Sequence, residues 1–301
     1  MSGPGISERR FGLVRPDGKT IAAYRWSTDR PTRAVVAVSH GMGEHARRYP
    51  PALSQLLESG IDLYGIDQRG HGATLALTDC SKGDFGPGGF DALVADLAAL
   101  IMKARAENPE LPLFLLGHSM GSFIGQAFLI EHSALVDGAV LVGTAPVDLL
   151  AQGMAREPDA LAALNRPFKP ARTAFDWLST VESEVDAYIN DPLCGFSLVL
   201  ESMMSLLSQG ARLADPSQLA RIRAGLPLYI LMGGRDPLST EFGELGPLVD
   251  RYRRAGIDPV VAVYAKGRHE ILNEVNRDQV VGELRIWLDQ VIASHSRRAG
   301  V

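Results

Sequence analysis

Cysteine is scarce: the 301 residues contain two, Cys80 and Cys194. They stand far apart, with no metal-ligand spacing and no disulfide framework. Each is expected to be a partly buried free thiol, which suits a reducing compartment. Long hydrophobic runs are also lacking. No stretch of 18 apolar residues occurs, so no transmembrane helix is expected. Positive charge is in deficit, with 30 Lys and Arg against 35 Asp and Glu and a formal net charge of -5. That balance argues against a nucleic-acid partner, which usually meets a basic face. The opening Met1 to Gly5 has no apolar signal region, so a cytoplasmic location is expected. No internal repeat or low-complexity linker is evident.

What is present is the composition of a folded core, 46% hydrophobic and 22% charged. The pattern predicts two strands, Arg10 to Arg15 and Thr20 to Trp26, joined by the turn sequence Pro16-Asp17-Gly18-Lys19. Ala34 to Val38, Ile61 to Ile66, Leu113 to Leu116, Gly138 to Val142, Leu228 to Met232 and Pro259 to Tyr264 then read as strands. Helix-like segments fall between them, such as Phe90 to Ala106 with Leu93, Leu97, Leu100, Ile101 and Ala104 on one stripe. This alternation implies an α/β fold with a mostly parallel sheet covered on both faces. It breaks over 147–225, which reads as helices with irregular joints, Thr173 to Trp177 and Phe196 to Gln209 among them, and a long final helix is expected over Glu270 to Ala293. The expected organisation is a core of 1–146 and 226–301 with a helical cap of 147–225. Ligands of such sheets gather beyond the carboxyl ends of the strands, where the loops from Ser39, Asp67, Gly117, Gly143, Gly233 and Ala265 begin.

One of those loops carries a chemical signature. The apolar run Leu113 to Leu116 ends in Gly117-His118-Ser119-Met120-Gly121, and a helix-like stretch follows. This is the nucleophile-elbow pattern, in which a sharp strand-to-helix turn presents one serine to a pocket. Glycines flank the serine because the chain crosses itself closely there. A serine hydroxyl needs a general base and an acid to orient that base. Of seven histidines, His295 lies in the tail, His132 ends a helix, and His118 is expected to point to the face opposite Ser119. His40, His45, His71 and His269 all sit in carboxyl-end loops. Asp236 follows the penultimate strand, and the order Ser119, Asp236, His269 matches the order associated with the elbow.

The motifs His40-Gly41-Met42-Gly43-Glu44-His45 with Arg48-Tyr49, Asp67-x-Arg69-Gly70-His71-Gly72, Leu116 to Gly121, Gly233-Gly234-Arg235-Asp236-Pro237-Leu238-Ser239 and Arg268 to Glu274 together resemble the α/β-hydrolases of the monoacylglycerol lipase and lysophospholipase branch. The resemblance spans about residues 34–146 and 226–290. It implies a Ser119–Asp236–His269 triad, an oxyanion hole made by the backbone N–H groups of Met42 and Met120, and no metal or organic cofactor. It places Glu44 and Arg48 near the polar head of the substrate, with a structural ion pair as the competing reading. His71 is expected to brace its loop. The sequence departs from the family at Ala73-Thr74-Leu75-Ala76, where a small polar residue and a glycine usually stand, which puts that loop's shape and the pocket wall in question.

Phe196, Leu198, Val199, Leu200, Met203, Met204, Leu206 and Leu207 crowd one predicted helix of the insertion. An arc this apolar is buried or meets a lipid-like ligand. The resemblance implies a cap over an acyl pocket, with transient contact to membrane surfaces. The expectation is a serine carboxylester hydrolase acting on a small ester or lipid, such as monoacylglycerol or a lysophospholipid. Peptidases, C–C hydrolases, acyltransferases and a silent ligand-binding member share the features read so far.

Overall fold

A computed structural model describes residues 5–157, 159–240 and 242–299. Eight strands form one sheet: β1 Ser7–Val14, β2 Thr20–Ser27, β3 Ala34–Ser39, β4 Ile61–Ile66, β5 Leu113–His118, β6 Gly138–Val142, β7 Leu228–Gly233 and β8 Val260–Tyr264. Their spatial order is β1-β2-β4-β3-β5-β6-β7-β8. β1 and β2 pair antiparallel, as do β2 and β4, and every pairing from β4 through β8 is parallel. The central strands β3, β4, β5, β6 and β7 are buried at every residue. That is why they read as continuous apolar runs rather than alternating ones.

Helices cover both faces. Gly89–Glu107 and Met120–His132 pack on one side, where Leu93, Leu97, Ile101, Ile124 and Phe128 join a single apolar cluster. Ser54–Glu58 and Arg277–Ala299 cover the other, around Leu56, Phe114, Leu284 and Trp287. Between β6 and β7 the described residues form only helices and irregular joints, including Val147–Met154, Glu182–Asn190 and Leu200–Leu207. Leu150, Leu164, Trp177 and Leu206 of this segment belong to the same apolar cluster as the first face.

Several expected helices are shorter than their apolar patterns. Thr173 to Trp177 is not helical: Asp176 accepts from the backbone N–H groups of Arg172 and Thr173, and Asn165 Oδ1 accepts from that of Trp177. Such side-chain acceptors offer the backbone an alternative to the helical ladder. The helix expected from Phe196 begins only at Leu200. The final helix, expected from Glu270, begins at Arg277 after a short 3-10 turn at Ile271–Asn273. The Ala73 to Ala76 departure forms a 3-10 turn held on Asp67, whose Oδ2 accepts from the Ala73 N–H at 2.7 Å and whose carbonyl accepts from Thr74 Oγ1. None of these four residues lines the cavities beside Ser119.

Candidate active site

At the end of β5 the chain turns into helix Met120–His132 through Ser119, whose φ of 52° is the one positive value for a non-glycine among the described residues. Such a backbone costs about 1–3 kcal/mol and persists only where its surroundings over-determine it. Here they do. The Ser119 N–H donates to the Val142 carbonyl at 2.9 Å. Ser122 Oγ bridges the Ser119 carbonyl and Thr144 Oγ1, and Gln126 Nε2 also donates to Thr144 Oγ1. A Cβ on Gly121 would stand 2.5 Å from the Ser39 carbonyl carbon and 2.6 Å from the His40 oxygen. Only glycine lets the elbow sit against the end of β3.

His269 and Asp236, separated by β8, meet beside this elbow. His269 Nδ1 lies 2.9 Å from Asp236 Oδ2, and both residues are buried. The other carboxylate oxygen of Asp236 accepts from the Leu238 N–H at 3.0 Å, so the acid is fixed at both ends. The imidazole thereby has its tautomer set, with hydrogen on Nδ1 and Nε2 left to act as a base. Two rings flank it: His118 at 4.9 Å and Trp177 of the insertion at 4.8 Å between centroids. The insertion also grips the following backbone, since Glu270 N–H donates to the Leu178 carbonyl at 2.7 Å.

The other loop histidines are occupied. His40 is held through Nδ1 by the Gly41 carbonyl, and its Nε2 accepts from the Gln68 N–H. His71 Nε2 accepts from the Gly43 N–H at 3.2 Å, and Nδ1 faces the Arg69 carbonyl. Each ring is therefore a neutral tautomer with both nitrogens engaged. Burial pushes His40 down, and pushes His71 down to about 3. His45 pairs with Asp191 instead.

These contacts shape the loop around Met42. The Gly41 N–H goes to Glu44 Oε1 at 2.6 Å and the Gly43 N–H to His71, so both neighbours of Met42 are tied back. Gly43 has a φ of 63°, and a Cβ there would collide with the Phe196 carbonyl. Met120 is the first residue of its helix, a position whose N–H has no helical acceptor and favours negative charge. Met42 and Met120 both line the cavity that Ser119 borders.

Glu44 and Arg48 fall into a buried network. Arg48 Nη1 donates to Glu44 Oε2 at 2.6 Å, and the guanidinium grips both oxygens of Glu270 at 2.7 and 2.8 Å. Tyr49 Oη donates to Glu44 Oε1, and Asn273 donates to Glu270. Burial is the largest influence and opposes ionisation of both carboxyls, but Arg48 together with His118 and, for Glu44, His40 holds Glu44 well below, and Glu270 below, the usual carboxylate range. Glu44 borders the cavity of Ser119 and His269, whereas Arg48 does not. Glu270 adjoins His269 in the sequence, inside a motif already recognised, yet nothing local announces that it binds a residue 222 positions away.

His118 requires a correction. Strand alternation sends it away from Ser119 and into packing, but its ring borders the same cavity, contacts His269 and places Nδ1 3.2 Å from Glu44 Oε1. Alternation holds only for extended backbone, and the positive φ at Ser119 ends that geometry. Burial is the largest influence on His118 and opposes a charge there, but the Glu44 hydrogen bond and the charges of Glu44 and Glu270 together raise its pKa.

Two cavities meet at Ser119. One is an apolar slot of about 60 Å³ walled by Phe123, Leu150, Met154, Met203, Leu207 and Phe242 among others. The second, of about 250 Å³, carries Glu44, His118, Tyr188, Ser197, His269 and Glu270. Ser119, Met42 and Trp177 border both.

A family model described as serine aminopeptidase, S33, matches residues 30–276. Monoglyceride lipase of Mus musculus is 29% identical over 294 residues, covering 94% of this chain and 91% of that protein. Monoacylglycerol lipase of Mycolicibacterium smegmatis is also 29% identical over 294 residues, covering 94% of this chain and 96% of that protein. Among solved structures, a thermostable carboxyl esterase from Bacillus coagulans in complex with glycerol superposes with a TM-score of 0.83 at 25% identity, covering 95% of this chain and 99% of that one. The fold, the site and these likenesses agree: the chain belongs to the serine aminopeptidase S33 family of α/β-hydrolases, in the monoacylglycerol lipase branch, and is a carboxylic ester hydrolase.

Proposed function

We propose that the protein hydrolyses monoacylglycerols through a Ser119–His269–Asp236 triad and an acyl-enzyme. The observation that carries this reading is the position of Ser119 at the junction of an apolar and a polar cavity. An ester bound there puts its acyl chain among Phe123, Met154, Met203 and Leu207 and its alcohol beside Glu44, Ser197 and Glu270. Ser119 Oγ attacks the ester carbonyl carbon while His269 Nε2 takes the hydroxyl proton. The oxyanion is met by the N–H groups of Met42 and Met120, each such donor contributing about 2.7–4 kcal/mol of transition-state stabilisation. Collapse breaks the ester C–O bond, and His269 returns the proton to the departing alcohol. Water, deprotonated by His269, then cleaves the acyl-enzyme to the carboxylic acid and restores Ser119. Asp236 orients the imidazole and stabilises its cation in both halves.

The lining of the polar cavity favours a neutral head over a lysophospholipid. It contains no Lys or Arg among the described residues. A phosphodiester buried there would meet no Lys or Arg and would face the carboxylates of Glu44 and Glu270. The helices between β6 and β7 act in this reading as the cap, 147–225, on a core of 1–146 and 226–301. Leu200 and Met204 are exposed on its helix Leu200–Leu207, while Leu206 of the same helix is buried and borders the slot. That outer apolar pair supports transient contact with a lipid surface. Among the described residues no helix is long and apolar enough to cross a membrane.

The test pairs a label with a substrate comparison. A fluorophosphonate should label the wild type and not Ser119→Ala. A monoacylglycerol should be cleaved with a kcat/KM at least about tenfold above that for a lysophospholipid of the same chain, equivalent to about 1.4 kcal/mol. Equal labelling of both proteins, or faster cleavage of the lysophospholipid or of an aminoacyl amide, would overturn the reading.

A further inference from the structure

The insertion meets the Gly41–His45 loop at a cluster that the triad does not use. The segment after helix Glu182–Asn190 turns at Asp191, where the Cys194 N–H donates to the Asp191 carbonyl at 3.0 Å. Asp191 Oδ1 accepts from the Leu193 N–H at 2.8 Å, which fixes the carboxylate and leaves Oδ2 2.9 Å from His45 Nε2. His45 Nε2, a carboxylate oxygen of Asp191 and Cys194 Sγ all lie within 4.8 Å of one another. His45 and Cys194 are buried, and the Asp191 side chain is 32% exposed, which opens one side to solvent. We propose that His45 Nε2, Asp191 Oδ2 and Cys194 Sγ form a binding site for a divalent cation of the zinc class, which clamps the insertion onto the 41–45 loop.

The donor set selects the ion. One imidazole nitrogen, one sulfur and one carboxylate oxygen suit zinc or cobalt, whereas calcium and magnesium require oxygen donors throughout. Tetrahedral bond lengths of about 2.0–2.3 Å imply ligand atoms about 3.3–3.6 Å apart. The cluster reaches that by opening the His45–Asp191 pair from 2.9 Å and drawing Cys194 Sγ in from within 4.8 Å. Water completes the fourth position on the open Asp191 side.

An ion of the zinc class takes a cysteine as the thiolate and a carboxylate as the anion, so two of the three ligands offset its charge. On binding, the S–H bond breaks, the proton goes to solvent, and the sulfur pair bonds the cation. One proton is released per ion. The link to the site is short: the Gly195 N–H, next to Cys194, donates to the Gly43 carbonyl at 3.0 Å.

Titration of the intact protein with Co²⁺, a zinc surrogate with visible spectra, tests this without reference to activity. One equivalent should give tetrahedral ligand-field bands with a thiolate-to-cobalt charge-transfer band and release about one proton. Cys194→Ser should lose the charge-transfer band. His45→Gln and Asp191→Asn should weaken binding at least about tenfold. Cys80→Ser and Ser119→Ala should keep full binding, which separates this site from the other thiol and from the triad. The proposal is overturned if the wild type shows no charge-transfer band, or if the band survives in Cys194→Ser or disappears in Cys80→Ser. Should Cys194→Ser fail to fold, undiminished binding by Asp191→Asn overturns it equally.

Discussion

Replacing Arg48 by methionine separates a structural from a substrate-binding role for the Glu44–Arg48–Glu270 network. The substitution keeps much of the volume but removes three hydrogen bonds of 2.6–2.8 Å. The side chains of Arg48, Glu44 and Glu270 are only 14%, 4% and 5% exposed, so solvent cannot replace the lost charge. Breaking a buried pair from one side costs about 3–5 kcal/mol. That is a large share of a total stability of about 5–15 kcal/mol. Tyr49, Asn273 and His118 still serve the stranded carboxylates, which argues for the lower half of the range.

The pH dependence follows from the same charges. Both carboxyls are depressed in the folded wild type. Their contribution is present above the unfolded value of about 4.3 and is lost as pH falls through the lower folded values. Without Arg48, the largest of the lowering influences on both carboxyls is gone and their depression shrinks. The variant therefore loses stability above about pH 4.3, and that loss fades below it. The difference between the proteins should be greatest near neutrality and close on acidification. Urea unfolding at pH 7 and pH 4, with an unchanged m value, measures it. A loss below about 1 kcal/mol at pH 7, accompanied by a raised KM, would refute the structural argument and favour Arg48 as a substrate ligand.

Two further predictions concern the elbow and the slot. Gly121→Ala should lower kcat about a hundredfold or prevent folding, because its methyl displaces the elbow from the end of β3 by about an ångström. Circular dichroism with ester kinetics would distinguish these, and an active, fully stable variant would show that the close approach is dispensable. Met203→Ala should shift the preference among p-nitrophenyl esters toward longer chains, since the slot offers only about 60 Å³ before its side chains move. An unchanged chain-length profile would place the acyl group elsewhere.

Much of this architecture was legible in the sequence because its causes are local. Strands buried on both faces must be continuously apolar, so β3 to β7 declared themselves. The glycines around Ser119 signalled a close crossing, and the alternation of strands and helices placed Asp236 and His269 at the same sheet edge. Helix boundaries in the insertion were less legible, because Asp176 and Asn165 compete for backbone N–H groups that an apolar pattern would assign to a helix.

Tertiary structure alone decided how the polar residues are shared out. Four histidines share the loops at one sheet edge, and the fold gives each its partners: His40 and His71 have both nitrogens engaged, His45 is turned to Asp191, and His269 is held by Asp236. The union of Arg48 with Glu270, the approach of His118 to His269 and the meeting of His45 with Cys194 each join distant parts of the chain. Periodicity and turn chemistry act over a few residues and set the elements. Charge pairing and cavity walls depend on which elements are brought side by side, and that is a property of the folded sheet rather than of any one stretch.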